Sequence, residues 1–145
     1  MTSDWLRCKW GIGRMKARLA CSTMIFRELD VLESLDLIAG EGFKDVDLCI
    51  VPGVCPHFDL DNYDAGSVSR LKEHLAKREL SVVCLTLWPG YLNSRKADKT
   101  LSQVERGVDL AAELGSGAVS LLAGERRTDA AEDEDSECSS PVWGR

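Results

Sequence analysis

Three apolar runs recur at a fixed pitch in the middle of this chain, and that pitch limits the folds open to it. "VDLCIV", "VVCLTLW" and "AVSLLA" begin at Val46, Val82 and Ala118, each start 36 residues after the last. A fourth run, "LACSTM" at 19–24, comes before them. Between the runs the apolar period changes to three and four residues, which is the period of a helix lying on a core. Leu29, Leu32, Leu35, Ile38 and Ala39 mark a first helix that Gly40 or Gly42 ends. Val68, Leu71 and Leu75 mark a second, with Ser67 as its N-cap. Leu101, Val104, Val108 and Ala111 mark the buried side of a third, with Gly115 at its C-terminus.

Strand and helix alternating at this spacing form βαβ units, and these require a parallel sheet. The expected fold class is therefore α/β, with four parallel strands near 19–24, 46–51, 82–88 and 118–123 and three helices between them. Near-continuous apolar strands suit a sheet with helices on one face and packed side chains on the other. Two architectures satisfy the pattern: an open doubly wound sheet and part of a (β/α)8 barrel. A dinucleotide-binding sheet would carry a glycine-rich loop after its first strand. "CSTMIFRELD" stands there without a glycine, and "GIGRMKA" at Gly11 follows no strand.

Charge divides the chain into three parts. Residues 1–18 hold five basic residues and one acid, a basic leader expected to be disordered. Residues 19–124 carry the pattern and a net charge of −6 with no basic stripe, so nucleic acid is not expected as a partner. Residues 125–145 hold seven acids and three basic residues and have no apolar period, an acidic tail also expected to be disordered. Six cysteines stand at 8, 21, 49, 55, 84 and 138 without a CxxC pair. Three lie inside strand runs, where a thiol packs as a small hydrophobe, and a reduced, cytoplasmic protein is expected. No segment has the apolar length of a membrane span, so no membrane is expected as a partner.

The patterned residues resemble a known family. "RLACSTMIF", "GEGFKDVDLCI", "LKEHLAKRELSVVCLTLWPGYLN" and "VERGVDLAAELGSGAVSLLAG" are similar, in order and spacing, to the first half of the sugar phosphate isomerase/epimerase family. That family is the xylose isomerase-like TIM barrel group, which also contains endonuclease IV-type enzymes. The resemblance implies a partial (β/α)8 barrel, an eight-stranded fold of roughly 250 residues when whole. It implies metal-dependent aldose–ketose isomerisation or epimerisation of a sugar or sugar phosphate in full-length relatives. The divalent metal there (Mn, Mg or Zn) sits mainly on strands beyond the fourth, so no cofactor is expected on this chain. The tail after Gly124 reads as an ending unrelated to the family, and the chain as a truncated and inactive version of it. An AP endonuclease-like DNA repair fragment is the other reading within the group. Outside it stands a non-catalytic, self-associating half-barrel.

Barrel sites lie at the C-terminal ends of the strands, and four residues are singled out as substrate contacts. His57 follows the second strand and forms a C-x-H-x-D cluster with Cys55 and Asp59, too tightly spaced for a structural zinc pair. It reads equally as a substrate contact and as a solvated loop residue. Asp47 stands where the family usually has a glutamate; an internal hydrogen bond is the plainer role for a strand acid. Trp88 could face a sugar ring or pack at the rim. Asn93 matches a polar position after the third strand and binds substrate or caps the loop. His74 reads as a solvated residue of the second helix. Four strands leave two open edges and an apolar inner face, including Val82, Leu85 and Leu121. A homodimer, or aggregation, is expected from that exposure.

Overall fold

The computed structural model describes residues 18–92, 97–121 and 124. The sheet runs β1 (Ala20–Ser22), β2 (Asp45–Val51), β4 (Ser81–Leu87), β5 (Val119–Leu121) in that spatial order, and every one of these neighbours is parallel. Three helices connect them: α1 (Val31–Gly40), α2 (Ala65–Lys77) and α3 (Ala97–Glu113). The four strands and three helices read from the sequence are present, with β5 described as far as Leu121. The leader up to residue 17 and the tail from 125 lie outside the described residues. Its last residue, Arg18, is described, and its guanidinium grips the carboxylate of Asp45 through Nε at 2.6 Å and through Nη2.

One element was not expected. Cys55–Pro56 forms a two-residue strand, β3, that turns back at Pro52-Gly53 and pairs antiparallel with the end of β2. Gly53 has φ +76°, which glycine adopts without steric cost. The pairing is too short to carry a strand period, so the sequence gives no sign of it.

The starts of α1 and α2 are set by aspartates. Asp30 caps α1 by accepting from the Leu32 N–H at 2.8 Å, and Glu33 reaches back to the Asp30 N–H at 3.3 Å. Leu29 therefore precedes the helix and is exposed, where the periodicity placed it inside. Asp64, not Ser67, caps α2; Ser67 donates its N–H to the Asp64 carboxylate at 2.7 Å. A carboxylate three residues upstream meets the free N–H groups, and the serine falls inside the first turn. Gly42 (φ +85°) and Gly115 (φ +71°) lie just beyond α1 and α3 as expected.

The core lies between the sheet and its helices. Val46, Leu48, Ile50, Val82, Leu85 and Leu87 from the strands meet Leu35, Ile38, Val68, Leu71, Leu75 and Leu110 from the helices. On α3 the buried side is Thr100, Gln103, Gly107, Leu110 and Ala111. This corrects the expected face, because Leu101 and Val108 are exposed. The reason is Gly107: a Cβ there would stand 2.3 Å from Leu87 Cδ1, so the bare backbone lets the helix sit on β4 at this angle.

The face away from the helices also differs from expectation. Val82 and Leu85 are buried under the helices, and Leu121, paired with Leu87, shares that side. The opposite face carries Ser22, Asp47, Cys84, Thr86 and Ser120, brought together by the pairs Ser22↔Asp47, Asp47↔Cys84 and Thr86↔Ser120. A register shift after Val46 sets this alternation: Val46 pairs with Val82, but Asp47 pairs with Cys84.

Candidate functional site

Asp47 is half-buried at the middle of the open face. Its Oδ1 accepts from the Thr86 hydroxyl at 2.8 Å, and the Cys49 thiol lies 4.0 Å from Oδ2. The internal hydrogen bond read as its plainer role is thus present. Thr86 was not singled out from the sequence, though a lone threonine in "VVCLTLW" was the available signal. Ser22 approaches Cys49 on the neighbouring strand, with Oγ and Sγ 3.5 Å apart. Burial pushes the Cys49 thiol up, and burial with the nearby Asp47 carboxylate does the same for Cys84. Both thiols are held in the protonated form, which is the poorer nucleophile and ligand. The four described cysteines, Cys21, Cys49, Cys55 and Cys84, are free.

Trp88 directly follows β4 and is 37% exposed, edge-on to Tyr91 with ring centroids 5.9 Å apart. Its N–H donates to the Ile50 carbonyl at 3.2 Å, which fixes the backbone while the indole stays at the rim. Asn93 lies outside the described residues.

His57 is not the solvated loop residue that was one of its two expected settings. It is 8% exposed, and its ring sits between the end of β1 and α1. Where the β1 ladder stops, Thr23 Oγ1 accepts the Cys49 N–H at 3.0 Å and faces His57 Nδ1 at 3.1 Å. On the other side Nε2 lies 3.5 Å from Ser34 Oγ, whose hydroxyl donates to the Asp30 carbonyl at 2.9 Å. The ring thus has a hydroxyl within reach of each nitrogen, Thr23 at Nδ1 and Ser34 at Nε2. Cys55 lies 3.3 Å from Nδ1. The histidine thereby ties β2 to the start of α1. His74 also has a partner where a solvated residue was expected: Nε2 lies 2.5 Å from Asp36 Oδ1, across the α1–α2 contact. The Arg78 guanidinium, with His74, holds the Asp36 carboxyl below the usual carboxylate range.

Two clefts open at the C-terminal ends of the strands. One, of about 250 Å³, lies between the starts of α1 and α2 and is lined by Asp30, His57, Asp59, Asn62 and Arg70. Hydrogen bonds from the Asn62 side chain and the Asp61 N–H keep the Asp59 carboxyl low. The other, of about 480 Å³, lies between the 52–61 loop and α3, with Asp61, Pro89, Lys99 and Gln103 on its walls. Gln103 Nε2 donates to the Asp61 carboxylate at 2.9 Å, and Arg106 lies over the Tyr63 ring. These contacts tie the loop to one flank of α3.

A divalent metal, implied by the resemblance, does not fit the described residues. Among them no group of three or more His, Cys, Asp or Glu is arranged to hold an ion, and no buried side-chain nitrogen or oxygen lacks a partner. His57 Nδ1 faces Thr23 Oγ1 at 3.1 Å.

Solved structures place the fold. The chain aligns over 84% of its length with 44% of the probable 3-DHS dehydratase AsbF of Bacillus anthracis, described as involved in petrobactin synthesis, at a TM-score of 0.61 and 17% identity. It aligns over 84% of its length with 46% of the AP endonuclease, family 2, of Brucella melitensis, at a TM-score of 0.59 and 20% identity. Both are TIM barrels, and the chain has the fold of somewhat under half of each. No protein-family model matches the chain, and no curated protein matches it.

Proposed function

We propose that this chain forms one wall of a sugar-binding site of the isomerase/epimerase kind and binds a polyhydroxylated small molecule through the open face of its sheet. The observation that carries this reading is the polar row Ser22, Asp47, Thr86 and Ser120 on the face the helices leave bare. Hydroxyls and a carboxylate at strand spacing match the alternating donors and acceptors of a sugar. Trp88 at the strand end adds an apolar face for the ring. Isomerisation also needs a base for the proton on the adjacent carbon and a metal to polarise the carbonyl. Mn, Mg or Zn would supply that polarisation in a full-length relative, on residues other than those described. The chain alone is a binder without turnover. The AP endonuclease likeness favours abasic DNA as a second reading, against which stands the net charge of −6.

Amide NMR of the 145-residue chain during titration with aldoses and aldose phosphates tests this. Shifts at Asp47, Thr86 and Trp88, lost in Asp47→Asn, are expected, with no ketose formed in the presence of Mn²⁺. No shift on the open face, or a response to an abasic oligonucleotide in its place, would overturn the reading.

A further inference from the structure

We infer that the two free edges of the sheet are an interface for a second copy of this chain, closing two four-stranded units into one eight-stranded ring. The inference does not rest on the sugar-binding reading and competes with it, because a closed ring turns the open face inward. It starts from which strands lack a neighbour among the described residues: there β1 pairs only with β2, and β5 only with β4. Since all four are parallel, β5 of one copy and β1 of another run in the same direction when the two-fold axis between the copies is parallel to the strands. Each dimer then contains the β5–β1 junction twice and has no strand edge left open.

The side chains beside these edges fit a junction. One flank of α3 is tied to the 59–63 loop through Lys99, Gln103 and Arg106. The other flank, toward β5, presents Leu101, Val104 and Val108 at helical spacing, with Val108 49% exposed. On α1, Asp36 faces His74 and Arg78 of α2, and Leu37, one residue round the helix, is 45% exposed on the side away from α2. Leu19 and Ile25, at the two ends of β1, are more exposed still. Five of the eight large exposed hydrophobics among the described residues, Leu19, Ile25, Leu37, Leu101 and Val108, thus lie on the elements next to the two edges, while Leu29, Val54 and Trp88 do not. Burying the two sets together removes them from water.

A second copy suits these edges better than residues 122–145 of the same chain. That segment is rich in Asp, Glu and Ser and has no apolar run long enough to cover Leu101, Val104 and Val108. One copy matches 44% and 46% of the two barrels compared, so two make up most of a ring. Inside it the Ser22, Asp47, Thr86 and Ser120 rows face each other, and such a polar interior keeps ordered water.

Sedimentation of the full chain at low micromolar concentration should give twice the monomer mass. Val108→Glu and Leu37→Glu, each at an exposed position, should each give a monomer with unchanged helical circular dichroism. A wild-type monomer overturns the inference. So does a dimer that Val108→Glu breaks and Leu37→Glu leaves intact, since that would be α3 packing on α3. Should a variant unfold, hydrogen exchange of the wild type decides: protection of the β1 and β5 amides rising with concentration supports the ring, and constant protection overturns it.

Discussion

His57 shows how one side chain can replace a stretch of sheet. β1 ends at Ser22, and beyond it the Cys49 N–H is satisfied by a threonine that a histidine holds in place. Replacing the ring leaves Thr23 and Ser34 without their buried partner, which costs about 1–3 kcal/mol for an unsatisfied group. His57→Ala should therefore lower the urea midpoint by that order, and an unchanged midpoint would place the histidine outside the network. The sequence could show that a histidine stood in a loop with Cys55 and Asp59. It could not show the partners, which lie 34 and 23 positions away and follow no period. Asp47 was more legible, because a carboxylate inside an apolar strand needs a donor, and Thr86 lies on the adjacent strand.

Among the elements, α3 separates what periodicity tells from what it does not. The apolar stripe Leu101–Val104–Val108–Ala111 gave the helix; Ala111 is buried as expected, while Leu101 and Val108 are exposed. A glycine carries no hydrophobic signal, yet Gly107 meets β4 and so sets the rotation of the helix. Gly107→Ala gains up to about 1 kcal/mol of helix preference and forces a methyl into buried Leu87, which costs about 1–3 kcal/mol. A net loss of roughly 1 kcal/mol in chemical denaturation is expected. In a Leu87→Ala background the same change should no longer destabilise, because the atom it strikes is gone. Equal losses in both backgrounds would mean that this close contact does not set the packing. α2 was read more fully, since Val68, Leu71 and Leu75 are its buried residues. Only its cap was misplaced, from Asp64 to a serine that is equally able to cap.

For the whole molecule, the parallel α/β arrangement was legible because two incompatible periods alternate along the chain. The polarity of the open face was not, since it depends on a one-residue register shift between β2 and β4. The boundary of the folded unit at its start is open to direct test. Deleting residues 1–16 should leave the thermal midpoint where it is. Extending the deletion through Arg18 should lower it, because Asp45, 5% exposed, loses the guanidinium that pairs with it. A fall already present in the shorter deletion would show that the leader contributes to the fold.

The sheet is also assembled in the order in which a ribosome delivers it. β1 finds β2, β2 finds β4 and β4 finds β5, and only the hairpin β3 interrupts the sequence. No strand waits for a partner made much later, so loop closure stays short at each step. The core of β2, α2 and β4 is complete once residue 87 is clear of the exit tunnel, and α3 and β5 add to a surface that already exists. The open face, lined by hydroxyls and a carboxylate, offers little for a chaperone to grip while the nascent chain is still growing.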